Sequence, residues 1–119
     1  MFVPGTPYSQ HQLRRIFDRA VRDSNVAMAW NVAGGLKRVE LDRALALTVL
    51  LGRQGDERYP ASARRFLARF AEEAGPTLGQ IKKVADALDT LGRTHELPAM
   101  REGADRALED LGRQLRTRS

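Results

Sequence analysis

Cysteine is absent from this chain of 119 residues. This excludes disulfide bonds, a thiolate nucleophile and any zinc site built on cysteine. Apolar runs are short as well, and none approaches the roughly 20 residues that a membrane-spanning helix needs. A signal peptide is not indicated, because no basic region followed by a long apolar core occurs in the opening residues MFVPGTPYSQ. These absences predict a cytoplasmic protein that does not bind a membrane.

Motifs for catalysis and cofactor binding are also missing. The sequence has no P-loop, no G-x-S-x-G elbow and no H-E-x-x-H pair. The two histidines, His11 and His95, have no second ligand three or four residues away, so no metal site is predicted. The run Gly34-Gly35-Leu36-Lys37 is only superficially like a phosphate-binding loop, because it follows a predicted helix rather than a strand. We therefore expect no enzymatic activity and no cofactor.

Patterns typical of β-strands are nearly absent, and apolar residues recur instead at helical spacing. We predict an all-α fold, a compact bundle of about six helices arranged as antiparallel hairpins, because the connections are short. Residues 1–8 are predicted to form an irregular N-terminal arm, and residues 9–119 a single helical domain. Helix 3, about Val39 to Leu51, is rich in leucine and is the predicted centre of the bundle.

Capping residues predict where the helices begin and end. Ser9 with Gln12, and Thr77 with Gln80, form capping boxes at the starts of helices 1 and 5. Asp23 or Ser24 is expected to cap helix 2, which is apolar on all sides and is therefore predicted to be buried. Glycine adopts the left-handed conformation without a Cβ clash and commonly ends helices. The helix ends predicted on this basis are at Gly34-Gly35, Gly52, Gly75-Pro76 and Gly92.

Arginines and aromatic residues are concentrated in RYPASARRFLARF, Arg58 to Phe70. This run is either a nucleic-acid-binding strip or a helix with one polar and one apolar side. On a helix, Phe66 and Phe70 share one side with apolar neighbours, and Arg65 and Arg69 project from the opposite side. Over the wider window Gly55 to Gly75, four acidic residues balance the four arginines, which favours phenylalanines in the core and a solvated arginine face.

Basic residues outnumber acidic ones by 20 to 15, which gives a net charge of +5. The excess is spread along the chain, with some concentration on helix 1 and the turn after helix 2. A cationic surface on helix 1 gains Arg113, Arg116 and Arg118 if the two ends of the chain are close. The candidate residues for binding a phosphate or a partner are Arg14, Arg15, Arg19, Arg22, Lys37, Arg38, Arg65 and Arg69.

Two functions are compatible with these features. The first is a non-catalytic protein-interaction or regulatory module, which binds another protein or itself through an apolar patch formed by helix 6, the Tyr8 arm or Phe2-Val3. The second is a basic nucleic-acid-binding protein that contacts phosphates through helix 1 and nearby arginines. A helix-turn-helix with helix 4 as the recognition helix is a sharper form of the second hypothesis, but the connection from Gly52 is loose for that motif.

The stretch LALTVLLGRQGDERYPASARRFLARFAEEAGPTL, about the middle third of the chain, resembles short helical proteins of high-GC actinobacteria. Abundant arginine and alanine are also the usage expected of a high-GC bacterial genome. The resemblance implies no activity, no cofactor and no catalytic residue.

Overall fold

A computed structural model describes residues 8–94 and 96–118, and within these ranges the chain forms helices and no strand. The elements are α1 (Gln10–Arg22), α2 (Val26–Gly35), α3 (Leu41–Arg53), α4 (Tyr59–Glu73), α5 (Leu78–Arg93) and α6 (Pro98–Arg118). The predicted all-α bundle is confirmed. His95 and most of the predicted arm, including Phe2-Val3, lie outside the described residues. Tyr8 is described, and it packs half-buried against the core.

Consecutive helices form the largest contacts, α1 with α2, α3 with α4 and α5 with α6, so that the bundle consists of three helical hairpins. The leucine-rich α3 touches all five other helices and is the centre of the fold, as predicted. Leu45 and Leu51 of α3 are almost fully buried, together with Phe17 of α1 and Leu91 of α5. Burial of these side chains provides the main driving force for folding.

The capping boxes and the phenylalanine anchors are confirmed. The Ser9 Oγ accepts a hydrogen bond of 3.0 Å from the Gln12 N–H, and Thr77 and Gln80 repeat this arrangement. Phe66 and Phe70 are 2% and 4% exposed, so the rings belong to the core.

The helix ends predicted at Gly34-Gly35, Gly52 and Gly92 lie within one residue of the observed ends, but the left-handed glycine expected at the end of helix 2 is not found. α2 ends at Gly35, as the glycine pair predicted, and Leu36 follows it, but neither Gly34 nor Gly35 has a positive φ. α3 and α5 end one residue after Gly52 and Gly92, at Arg53 and Arg93, and the glycine with a positive φ after α3 is Gly55, at 64°. Gly75, by contrast, has a φ of 61° after α4, as predicted.

The cap and the burial of α2 also differ from expectation. Asn25, rather than Asp23 or Ser24, caps the helix, because its Oδ1 accepts a hydrogen bond of 3.1 Å from the Met28 N–H. Only Ala29 and Val32 of α2 are buried. Among the described elements α2 packs against α1 and α3, and it keeps one apolar side without a neighbouring helix. No helix in the described part of the chain is long and apolar enough to cross a lipid bilayer.

Candidate functional site

An open groove lies between α2, α3 and α4 and has a volume of about 420 Å³. Both outer helices, α2 and α4, pack against α3, but within the described residues they do not pack against each other. The floor of the groove is therefore α3, and the facing sides of α2 and α4 are its walls. We call it the α2–α4 groove. Its lining residues are Trp30, Ala33, Gly34, Val39, Ala44, Leu47, Thr48, Ser62, Arg65, Phe66 and Arg69.

The α2 wall of the groove is apolar because Val26–Gly35 contains no charged side chain. Trp30 and Ala33 are half-buried on this wall. Gly34 leaves part of the wall open, since no atom lies within 4 Å of the place that a Cβ would occupy. This wall therefore leaves apolar surface in contact with solvent.

A buried hydrogen bond fixes the floor of the groove to the α4 wall. The Thr48 hydroxyl donates to the Ala44 carbonyl over 2.8 Å, and Thr48 Oγ1 lies 2.7 Å from Ser62 Oγ. Since the single Thr48 proton is engaged by Ala44, Ser62 is the donor to Thr48. Both hydroxyls are buried, with Thr48 1% and Ser62 8% exposed, so this bond holds α3 and α4 in one relative position.

Arginines follow the α4 side of the groove. We call Arg58, which immediately precedes α4, and Arg65 and Arg69 of α4 the rim arginines; their spacing places them on one side of the helix. The Arg58 guanidinium stacks over the Trp30 ring at 4.4 Å and connects the start of α4 with α2. Of the residues that the structure describes, none that lines the groove is acidic, so the groove combines an apolar α2 wall with a cationic edge.

The rim arginines differ in how their charges are balanced. The Arg58 guanidinium donates two hydrogen bonds, of 2.9 and 2.8 Å, to Asp56, and the Arg58 backbone N–H donates a third, of 2.9 Å; these bonds lower the pKa of Asp56 to about 2. The Arg69 Nε donates to Glu73 over 2.7 Å. Arg65 is exposed and has no carboxylate within 4.0 Å in the part of the chain that the structure describes.

Glu73 connects the end of the groove to the α2–α3 connection. The hydrogen bond from Arg69 is the main cause of a lowered Glu73 pKa, and the charges of Arg69 and Arg38 act in the same direction. Arg38 Nη2 lies 3.7 Å from Glu73 Oε1, although the Arg38 side chain is 76% exposed. One carboxylate thus partly neutralises two arginines beside the groove.

The predicted site residues separate into two groups. Arg38, Arg65 and Arg69 lie at or beside the groove. The prediction that Arg65 and Arg69 project from the side opposite Phe66 is wrong, because both line the groove together with Phe66. Arg69 follows Phe66 by three residues, and residues three apart are neighbours on a helix surface. Lys37 is exposed nearby, and its backbone N–H donates to Gln10 Oε1 over 2.8 Å.

The second group lies on α1. Arg15, Arg19 and Arg22 are exposed at helical spacing on one side of the helix and have no carboxylate within 4.0 Å among the described residues. Arg14 is separated from them and is half-buried near Glu40. Burial acts to raise the pKa of Glu40, but hydrogen bonds from its backbone and from Arg43, with the charges of Arg43 and Arg14, lower it on balance.

The C-terminal arginines extend the α1 surface only in part. Arg116 lines a cavity of about 380 Å³ together with Val21 and Ser24, so the end of α6 approaches the end of α1. Arg113, however, is paired with Asp110. The Arg118 side chain lies outside what the structure describes.

Two other cavities have mixed charge. The one beside Arg116 also contains acidic residues of α3 and α6. Another, of about 460 Å³ between α4, α5 and α6, is lined by Lys83 and Asp110. Within the described residues, no group of three acidic or histidine side chains is close enough to hold a metal ion. The α2–α4 groove is distinguished by a single sign of charge on an apolar surface.

Sequence reasoning found the arginines of the groove but missed Trp30, Thr48 and Ser62. The recurrence of Arg58, Arg65 and Arg69 at helical spacing was the available signal for the rim. Comparison with protein-family models, curated proteins and solved structures gives no match. The resemblance to actinobacterial helical proteins therefore stays a prediction, and function rests on the geometry.

Proposed function

We propose that this chain is a non-catalytic, cytoplasmic protein-interaction module and that the α2–α4 groove is its docking surface. The observation that carries this proposal is the combination of an uncharged α2 wall, a cationic edge on α4 and an opening to solvent along the groove. The occupant is a segment of another protein whose apolar side chains enter between Trp30 and Phe66. A groove that stays open along its length suits a helix or an extended peptide better than a small molecule, which a pocket encloses almost completely.

The groove is suited to docking because its walls are fixed before a partner arrives. The Thr48–Ser62 hydrogen bond ties α4 to α3, and the stack of Arg58 on Trp30 ties the start of α4 to α2. A preformed site avoids part of the entropic cost of ordering side chains on binding. Binding is therefore expected without rearrangement of the helices.

Trp30 offers a direct test, because it is the single tryptophan of the chain and lies in the groove. Short peptides would be selected from a random library on the wild-type protein, and their binding followed through Trp30 fluorescence. Gly34→Phe is expected to fill the groove and weaken binding by about tenfold or more, a loss of about 1.4 kcal/mol. Gly103→Phe is the matched control, since Gly103 also lies within a helix, α6, with no atom near its Cβ position.

We expect the selected peptides to change Trp30 emission. We also expect Gly34→Phe, but not Gly103→Phe, to weaken their binding. If no selected peptide affects Trp30, or if both glycine variants bind equally well, docking at this groove is refuted. Light scattering of the protein alone would detect self-association as the alternative occupant.

A second candidate function is phosphate binding by α1. The observation that favours it is the ridge of Arg15, Arg19 and Arg22, exposed and unpaired in the described part of the chain. Such a ridge would contact nucleic-acid phosphates without reading sequence. Fluorescence anisotropy with random duplex and single-stranded oligonucleotides over a salt series tests this directly. Binding should weaken with salt, and the triple variant Arg15→Ala/Arg19→Ala/Arg22→Ala should abolish it; no binding at low salt would eliminate this candidate.

A further inference from the structure

We propose that the α2–α4 groove selects an acidic amphipathic segment of a partner protein. Its apolar side chains enter the groove, and its carboxylates pair with Arg65 and, in place of Glu73, with Arg69. This inference rests on the proposed docking function and specifies the partner's chemistry.

Charge complementarity is the first reason for this choice of partner. The rim arginines lie beside a lining that contains no acidic residue, and Arg65 has no carboxylate within 4.0 Å among the described residues. A partner carboxylate next to Arg65 gains an ion pair that the free protein does not have. A lysine or arginine at the same place meets like charge and is rejected, and such repulsion contributes to specificity.

The spacing of Arg65 and Arg69 predicts how acidic residues are spaced in the partner. Arg65 and Arg69 are four residues apart and lie about one helical turn from each other along the groove. A helical partner with acidic residues one turn apart can meet both arginines. Apolar residues at the helical repeat on its adjacent side would enter the groove next to Phe66.

Glu73 competes with a partner carboxylate for Arg69. Its Oε2 accepts the 2.7 Å hydrogen bond from Arg69, and its Oε1 lies 3.7 Å from Arg38. The Glu73 side chain is 35% exposed, so water and a partner carboxylate can reach the pair. Exchange of one exposed carboxylate for another costs little, because exposed ion pairs contribute weakly to stability. Removal of the Glu73 charge should therefore leave the fold intact and make Arg69 and Arg38 more available.

The test uses three designed helical peptides with the same apolar positions, which differ only in carrying Glu, Gln or Lys beside them. Binding is followed through Trp30 fluorescence over a salt series. The Glu peptide is expected to bind at least about fivefold tighter than the Gln peptide at low salt, with the difference reduced at high salt. The Lys peptide is expected to bind more weakly than either.

Variants of the protein localise the effect. Arg65→Ala should reduce the preference for Glu over Gln by about threefold, whereas Arg64→Ala should not change it. Arg64 is the matched control, since it is an exposed neighbour on α4 that does not line the groove. Glu73→Gln should strengthen binding of the Glu peptide by about two- to fivefold. Circular dichroism verifies that each variant is folded.

The outcomes separate this inference from the docking function on which it rests. Equal binding of the Glu and Gln peptides, or equal losses in Arg65→Ala and Arg64→Ala, overturns the acidic partner and leaves apolar docking standing. If neither the three designed peptides nor the library-selected peptides change Trp30 emission, docking itself fails and the inference falls with it.

Discussion

Gly52 of α3 and Gly92 of α5 face opposite edges of one aromatic ring, that of Tyr59. A Cβ at Gly52 would lie 2.7 Å from Tyr59 Cε1, and a Cβ at Gly92 would lie 2.8 Å from Tyr59 Cε2. The two glycines form a slot that admits the ring at the start of α4, where the Tyr59 hydroxyl donates to the Leu88 carbonyl. The slot joins α3, α4 and α5 and sets the position from which the α4 wall of the groove begins.

The slot predicts that Gly52→Ala destabilises the protein. The added methyl would lie within 3.0 Å of both Tyr59 and Leu91, and overpacking of this kind costs roughly 1–3 kcal/mol. Helix propensity alone predicts the reverse, a gain of about 1 kcal/mol. Gly103→Ala is the control, because it adds the same methyl to α6 where nothing lies within 4 Å. Urea unfolding should show a loss for Gly52→Ala and a gain for Gly103→Ala; a gain for both would contradict the slot.

Tyr59→Phe tests the hydroxyl that the slot buries. Loss of the hydrogen bond to Leu88 should lower the free energy of unfolding by about 1 kcal/mol near neutral pH. Burial, with a smaller contribution from the charge of Asp89, raises the pKa of Tyr59 in the folded protein.

The raised pKa gives the Tyr59→Phe comparison a pH dependence. The unfolded state ionises this tyrosine above a pH of about 10, whereas the folded state keeps it protonated. Its stabilising contribution is therefore complete below that pH and lost as the pH rises further. Denaturant titrations from pH 8 to 11 should show the wild type approaching the phenylalanine variant. A constant difference over this range would contradict the assignment.

The sequence predicts these local features unevenly. The capping boxes at Ser9 and Thr77 were predictable because each depends on residues within one turn. The roles of Gly52 and Gly92 were not, because they depend on a ring brought between the helices by the fold. Glycine near the end of an apolar repeat indicates a helix stop in the absence of tertiary information. Both helices do end one residue after these glycines, but the contact of the two glycines with the Tyr59 ring is visible only in the folded chain.

The same limit applies to the groove. Helical spacing identified the arginines of α4 as a set, and the absence of charge in α2 was visible in the sequence. The prediction from that absence was burial, because an uncharged helix is usually enclosed. Only the arrangement of three helices shows that α2 and α4 flank α3 and leave Trp30 at an open edge. The groove exists because α2 and α4 do not pack against each other in the described part of the chain. The apolar repeat within a single helix does not reveal this.

The buried hydrogen bond between Ser62 and Thr48 predicts that Thr48→Val and Ser62→Ala destabilise the protein by different amounts. In Thr48→Val the Ser62 proton loses its acceptor in a buried place, which costs about 1–3 kcal/mol. In Ser62→Ala, Thr48 still donates to the Ala44 carbonyl, so the cost should be nearer 0.5–1 kcal/mol. The double variant should be about as stable as Ser62→Ala, since removal of both partners leaves no unpaired donor. Thermal unfolding of the three variants measures these differences in stability. Equal destabilisation by the two single substitutions would contradict the assignment of Ser62 as the donor.

Asp56 is predicted to hold the Arg58 guanidinium in its stack on Trp30. Its hydrogen bonds hold the guanidinium that stacks on Trp30, and they lower the Asp56 pKa to about 2. A depressed folded pKa contributes stability above the unfolded value of about 4, and this contribution is lost as the pH falls toward 2. Asp56→Asn should therefore cost about 0.5–1 kcal/mol at pH 7, and the difference from the wild type should close between pH 4 and 2.

Trp30 fluorescence should report the protonation of Asp56, because Arg58 stacks on the Trp30 ring. Protonation of Asp56 weakens its hold on Arg58, so the wild-type spectrum should change with a midpoint near the Asp56 pKa of about 2. In Asp56→Asn this transition should be missing, and the spectrum at pH 7 should already resemble that of the acidified wild type. Glu57→Gln is the control, because it removes an exposed adjacent carboxylate that accepts no hydrogen bond from Arg58. A transition that persists in Asp56→Asn would show that another group orders the Arg58–Trp30 stack, and the preformed edge of the groove would then need a different origin.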